Sequence, residues 1–185
     1  MRPVTLDGER MVVRELADSD APAVHKWAGD RDTVRWVPLG PLDRPGTVQY
    51  VAQLITQAQR VPRLGYTLAI ERRSDHALLG TVSVEIDSFE HKRAELGYIL
   101  RRDAWGQGYA TEAAGLLVKW LQRQGSIVRI GATTDADNSA SAAVLQKVGL
   151  QREGLMRRAT VRPNIGPAPR DTALFASVKP EGTPP

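Results

Sequence analysis

The chain has 185 residues, 42% of them hydrophobic, which is enough for one buried core and too little for two ordinary domains. The absence of cysteine excludes disulfides, thiolate metal sites and a cysteine nucleophile, and no apolar run approaches the ~18 residues of a membrane span. The net charge is +4, part of it gathered in residues 151–185, where six Lys/Arg stand against three acids; such a surface attracts polyanions, RNA included, but is often just a solvated face.

No apolar h-region follows Met1, so a secretory leader is not expected and the cytoplasm is the expected compartment. Residues 9–16, ERMVVREL, read as an opening strand. Asp18, Ser19 and Asp20 offer caps, with Pro22 in a first-turn position, so a helix should run to about Ala28 and end near Gly29. Residues 30–44 are irregular, with Pro38, Gly40, Pro41 and Pro45 as breakers. Helical spacing resumes over 47–59 through Val48, Val51, Leu54, Ile55 and Ala58. Trp27, Trp36 and Tyr50 lie in this part, where aromatic side chains ordinarily fill a core; Trp36, next to Arg35 in a loop, is best placed to wall a ligand.

Residues 64–70 and 78–86 are strands joined by a polar turn at 72–76, and 93–100 is the next strand, ending in Tyr98-Ile99-Leu100. Across Trp105-Gly106-Gln107-Gly108 the period changes from 2 to 3.6, and a helix carrying Ala110, Ala113, Ala114, Leu117 and Leu121 continues to about Gln124. The first amides of such a helix lack intrahelical partners and lie at its positive end, while two glycines without Cβ admit an anion to the chain. The stretch reads as a diphosphate cradle, although a lone GxG is more often a packing turn. A P-loop would need GxxxxGK[ST], which is missing, and a dinucleotide turn would need a third glycine and an acid after the next strand, which are also missing.

A strand follows at 126–133, then a helix capped by Asp137 or Asn138 that runs to Val148 and closes at Gly149. Strand-like pieces at 150–161 and 172–178 flank 163–170. Residues 1–179 are expected to form the domain, with 180–185 a frayed, disordered tail.

The run Trp105-Gly106-Gln107-Gly108-Tyr109-Ala110 resembles the acyl-CoA signature [QR]xxGx[GA] of the GCN5-related N-acetyltransferases (GNAT), with Trp105 where Gln or Arg is usual. WGQGYATEA is more similar still to the subgroup that acetylates N-termini of ribosomal proteins, the RimJ/RimL type, and to related antibiotic-modifying enzymes. A second stretch, Asn138 to Ser141 followed by Val144-Leu145-Gln146-Lys147-Val148-Gly149-Leu150, is similar to the family's NxxS…VLxKxGF element. The resemblance implies an α/β (α+β) fold with a central mixed, mostly antiparallel sheet and helices on both faces. It also implies acetyl-CoA as co-substrate, held by Trp105, Gly106, Gln107, Gly108, Tyr109, Ala110 and Thr111, with Tyr98, Ile99 and Leu100 pairing with the pantetheine arm. By position Asn138 and Lys147 join that set, and Ser141 would protonate the leaving thiolate. Read from spacing alone, Asn138 is equally an N-cap and Ser141 an ordinary helical serine.

For the base, Glu95 leads, since alternation puts it on one face with Gly97 and Ile99, and a carboxylate partly withdrawn from water gains basicity. Glu85 on the neighbouring strand is the reserve and joins Trp36 on the acceptor side. An ion-pair partner on the sheet is the equal alternative for either, and a base acting through water, or none, is open. Glu112, in the first helical turn, suits the dipole and is read as structural. His25, His76 and His91 are isolated, so no metal is expected. Arg60, Arg63, Arg72, Arg73, Arg157, Arg158, Arg162 and Arg170 are expected to border the acceptor groove, which points to an anionic or carboxylate-bearing amine, small molecule or peptide. Two other readings keep the fold: an aminoacyltransferase using charged tRNA, and a non-catalytic acyl-CoA-binding module. Related folds often dimerise, so a homodimer is a further expectation.

Overall fold

The computed structural model describes residues 3–179; the tail expected at 180–185 lies outside the described residues. In chain order the elements are β1 (Thr5–Asp7), β2 (Met11–Glu15), α1 (Ala21–Ala28), α2 (Arg44–Ala58), β3 (Gly65–Arg72), β4 (Leu78–Ser88), β5 (Arg93–Leu100), α3 (Tyr109–Arg123), β6 (Arg129–Asp135), α4 (Ser139–Lys147), β7 (Gln151–Arg162) and β8 (Gly166–Val178). Eight strands make one sheet in the order β1-β2-β3-β4-β5-β6-β8-β7, antiparallel at every neighbour except β5 and β6. No helix among the described residues is long and apolar enough to cross a membrane.

Strand alternation divides the core between the two faces of the sheet. Leu68, Ile70, Val82, Val84, Leu96 and Leu100 join Ala113, Ala114, Leu117 and Leu121 of α3 and Leu145 of α4 on one face. On the other, Ala69 and Leu78 meet Val24, Trp27 and Ala28 of α1 and Val51 of α2. Trp27 is fully buried there, edge-on to Tyr50 at 6.2 Å between ring centres.

Several boundaries differ from expectation for local reasons. β1 was not expected; three residues are too few for a period, and it holds by pairing with β2 and by packing Leu6 against the core. Pro45 does not break α2 but stands in its first turn, behind Asp43, whose carboxylate accepts from Gly46 N at 2.7 Å. Asp20 does not cap α1 through its side chain; it is buried and accepts from both Nη atoms of Arg14 at 2.8 and 2.9 Å. β8 starts at Gly166 and takes in Pro167 and Pro169. These prolines fit because β6 pairs with β8 only from Thr172 onward, leaving the hairpin end with a free side where no amide is needed.

The feature that positions the site is the single parallel pair. β5 and β6 are in register only over Arg93↔Arg129, Ala94↔Ile130 and Glu95↔Gly131, and then diverge. From Leu96 on one side and Ala132 on the other, two strand edges face a wedge.

Candidate active site

The wedge opens into a cavity of about 590 Å³ lined by Leu96 to Leu100 of β5 and Ala132 to Thr134 of β6. At one end lies the glycine turn. Gly106 (φ +72°) and Gly108 (φ +81°) are left-handed, the conformation glycine tolerates best. The first backbone bond into α3 runs from Glu112 N to Gly108 O at 3.0 Å, so the amides of Tyr109, Ala110 and Thr111 precede the helical ladder. These three residues, with Trp105, Gly106 and Gly108, line the cavity. Gln107 faces away: its side-chain amide donates to Asp103 O at 2.7 Å. The Trp105 indole N–H donates to Leu100 O at 2.7 Å, tying the turn to the strand it leaves.

Arg10, which sequence reasoning did not single out, holds this turn from the β1–β2 connection. It donates from Nη1 to Gln107 O, from Nε to Glu112 Oε2 and from its backbone N to Glu112 Oε1, each at 2.9 Å, and its guanidinium lies 4.6 Å from the centre of the Tyr109 ring. Glu112 thus has a second task besides suiting the dipole. No short-range signal marks this clamp, since Arg10 and Glu112 are 102 positions apart.

In the middle of the cavity the Tyr98 hydroxyl lies 2.9 Å from Ser141 Oγ and 3.0 Å from Ser141 O. Burial pushes the Tyr98 phenol up to about 12, with the bond to Ser141 acting in the opposite sense, so it keeps its proton at neutral pH. Asn138 lines the same space and caps α4, accepting from Ser141 N at 3.1 Å through Oδ1, which leaves its Nδ2 to donate elsewhere. Lys147, exposed at the end of α4, also lines the cavity.

At the other end the floor is the hydroxyl face of the sheet, Thr67, Thr81 and Ser83, and the wall is Trp36, Val37, Leu39 and Tyr50. Trp36 is half-buried with the Arg35 guanidinium 4.8 Å from its ring. Glu95 and Glu85 are exposed, directly opposite each other across β4 and β5, and neither lines the cavity. Glu95 is therefore not withdrawn from water, because β6 ends its pairing at that very residue. It reaches the cavity at one remove: Thr133 Oγ1, on the lining, donates to Glu95 Oε1 at 3.0 Å.

Half of the arginine border is spent internally. Arg63 pairs with Glu15, Arg72 with Asp75, Arg73 with Asp7, and Arg170 with Asp135 and Asp137. Of the eight arginines expected at the groove, Arg162 lines the cavity. Among the described residues no group of three or more His, Asp or Glu could hold a metal ion.

A sheet parted at its one parallel pair, with a glycine turn and a helix start at the mouth of the gap, is what an acyl carrier with a diphosphate and an amide-bearing arm would fit. Residues 10–151 match the Acetyltransferase (GNAT) domain, and the chain belongs to that family. Its activity is transfer of an acetyl group from acetyl-CoA to an amine nitrogen. Among its relatives is the uncharacterized N-acetyltransferase YoaA of Bacillus subtilis (strain 168), 29% identical over 95% of this chain and 97% of that one. Similar solved folds include RimL, a ribosomal L7/L12 α-N-protein acetyltransferase in complex with coenzyme A (TM-score 0.84, 21% identity, 95% and 98% of the two chains). Others are the ribosomal-protein-S5-alanine acetyltransferase of Vibrio fischeri (0.83, 24%, 98% and 100%) and the microcin C7 self-immunity acetyltransferase MccE in complex with acetyl-CoA and AMP (0.81, 20%, 92% and 93%).

Proposed function

We propose that the domain of residues 1–179 acetylates the primary amine of a small molecule or a peptide N-terminus, acting in the cytoplasm, with the donor in the β5–β6 wedge and the acceptor between the sheet floor and Trp36. The observation that carries this reading is the loss of register after Glu95↔Gly131, which leaves the edge of β5 that faces β6 without a strand partner beyond Glu95, where an amide-bearing arm could pair. The amides of 107–111 and Lys147 receive the phosphates, and Asn138 Nδ2 donates to the arm or to the sulfur end.

In the reaction the amine nitrogen attacks the thioester carbonyl carbon, the C–S bond breaks, and the sulfur must gain a proton. Ser141 Oγ supplies it. Tyr98 serves Ser141: when its phenolic proton points to Oγ, the serine's own proton is turned toward the cavity. For the amine, Thr133 Oγ1 takes the proton while passing its own to Glu95, the carboxylate it already touches. Glu85, opposite, keeps the mouth negative and attractive to an ammonium.

The test supplies the protein separately with acetyl-CoA and with charged tRNA, against a panel of primary amines. Thiol release from acetyl-CoA, dependent on amine, is expected. Release of free tRNA without thiol would overturn the reading, and acetyl-CoA binding without thioester loss would reduce the protein to a binding module.

A further inference from the structure

Arg162 is the one charged side chain at the acceptor end of the cavity. It is 8% exposed, lines the same cavity as Trp36 and Tyr50, and its Nε is buried with no hydrogen-bond partner. The nearest carboxylate does not satisfy it. Asp135 Oδ2 is 4.0 Å from Arg162 Nε, while the same carboxylate already accepts from Arg170 Nε at 2.6 Å, Arg170 Nη2 at 3.1 Å and Asp137 N at 3.1 Å. Burial by itself would raise the Asp135 pKa, but these bonds hold it below its ordinary value, so it stays an anion whose hydrogen-bonding capacity Arg170 largely takes up.

A guanidinium carries five donors, and burying it with donors unmade is costly unless a partner arrives. Its support is firm: Asn164, two residues on, donates from Nδ2 to the carbonyls of Val34, Val37 and Leu39 at 2.8, 3.1 and 2.9 Å, fastening the β7–β8 turn to the loop that carries Trp36. Arg162 is thus presented to the cavity by a braced turn.

We propose that the acceptor bears a carboxylate as well as its amine, and that Arg162 binds this carboxylate through its planar fork. This rests on the acetyl-transfer reading above and names the acceptor class within it. A carboxylate suits the site better than a phosphate because it brings one negative charge to one guanidinium. The second cation of the lining, Lys147, stands with the cradle at the end of α4, and the rest of the acceptor end is hydroxyl or apolar. A free α-amino acid and an acidic side chain near a peptide N-terminus both supply such a carboxylate; the chemistry seen by Arg162 is the same.

The experiment uses the full chain with acetyl-CoA and matched acceptor pairs, following thiol release. One arm compares α-amino acids with their carboxamides; a second compares short peptides with Asp or Glu at the second position against the same peptides with Asn or Gln; a third compares O-phosphoethanolamine with ethanolamine. The acid should exceed its neutral partner in kcat/KM by roughly 10- to 100-fold in the first or second arm, the range of a charge-assisted hydrogen bond. Arg162→Gln should bring that ratio close to one, and Arg162→Lys should restore part of it. Equal turnover of acid and amide by the unaltered protein overturns the proposal without reliance on any variant's folding. So does a preference that survives Arg162→Gln, or one confined to the phosphate pair. If no amine releases thiol, the acetyl-transfer reading fails instead. Arg162 is then judged by calorimetry of acid and amide with the acetyl-CoA-loaded protein, where equal affinity overturns it.

Discussion

The two ends of the cavity are built on different principles. The donor end is made chiefly of backbone: two left-handed glycines, the first amides of α3 and a strand edge left unpaired by the β5–β6 divergence, with Asn138, Ser141 and Lys147 adding side chains. The acceptor end is made of side chains drawn from distant parts of the chain, with Trp36 from the α1–α2 connection, Thr67 and Ser83 from the sheet and Arg162 from the C-terminal hairpin. A backbone site tolerates many side chains but depends on chain geometry. A side-chain site can change its ligand by single substitutions while the fold stays put. The donor of this protein is therefore set by its fold, and the acceptor by a handful of residues.

That contrast can be broken most sharply at the turn. Gly108→Trp forces a Cβ and a bulky ring onto a φ of +81°, and a loss of CoA affinity of roughly 100-fold or more is expected by calorimetry, with the acceptor end intact. Unchanged affinity would mean that the diphosphate binds elsewhere. Ser141→Ala should lower kcat by about 100-fold, the lower range for general acid catalysis, while CoA binding stays within about twofold. If binding falls as steeply as turnover, the serine serves to hold the donor and not to protonate the thiolate. Arg10→Ala removes two side-chain hydrogen bonds and the guanidinium–Tyr109 ring contact that brace the turn, without touching the acceptor end. CoA affinity should fall by about tenfold with the acceptor KM unmoved, on the scale of one charge-assisted bond. Full affinity would show that the turn keeps its shape unaided.

Smaller effects sharpen the acceptor side. Glu95→Gln should lower kcat/KM by roughly 10-fold with CoA affinity unmoved, since the carboxylate that Thr133 touches is lost; unaltered turnover passes proton removal to water. Stability should also respond to acid. Asp20 and Asp135 both have native pKa values below the ordinary 3.8, each burial effect being outweighed by an arginine partner. Their stabilisation is complete above the unfolded value and is lost as pH falls through the lower native values. Melting temperature should hold down to about pH 4 and drop below it. A decline beginning near neutrality would point to other groups.

The difference between the two ends also explains what could be read in advance. α1, β5 and the start of α3 follow from alternation, Pro and Gly positions within a few residues, and Asn138 caps α4 by a bond that spans three. The cradle was legible for the same reason: its function is local geometry. Arg10 was not, because its partners Gln107 and Glu112 are brought to it by the pairing of β1 with β2 and the packing of α3. Nor could a count of arginines tell Arg162 from Arg170, since which of them Asp135 engages depends on the register of β6 with β8. The solvent exposure of Glu95 likewise follows from where the parallel pairing stops, which no alternation pattern reveals.

The Asn164 carboxamide joins positions 125 to 130 residues apart, from the first and last quarters of the chain. Contacts of such separation close late, after the locally formed helices and hairpins. The glycine turn and α3 lie outside this latch, so its local unfolding would loosen selection first while leaving the turn that seats the diphosphate in place.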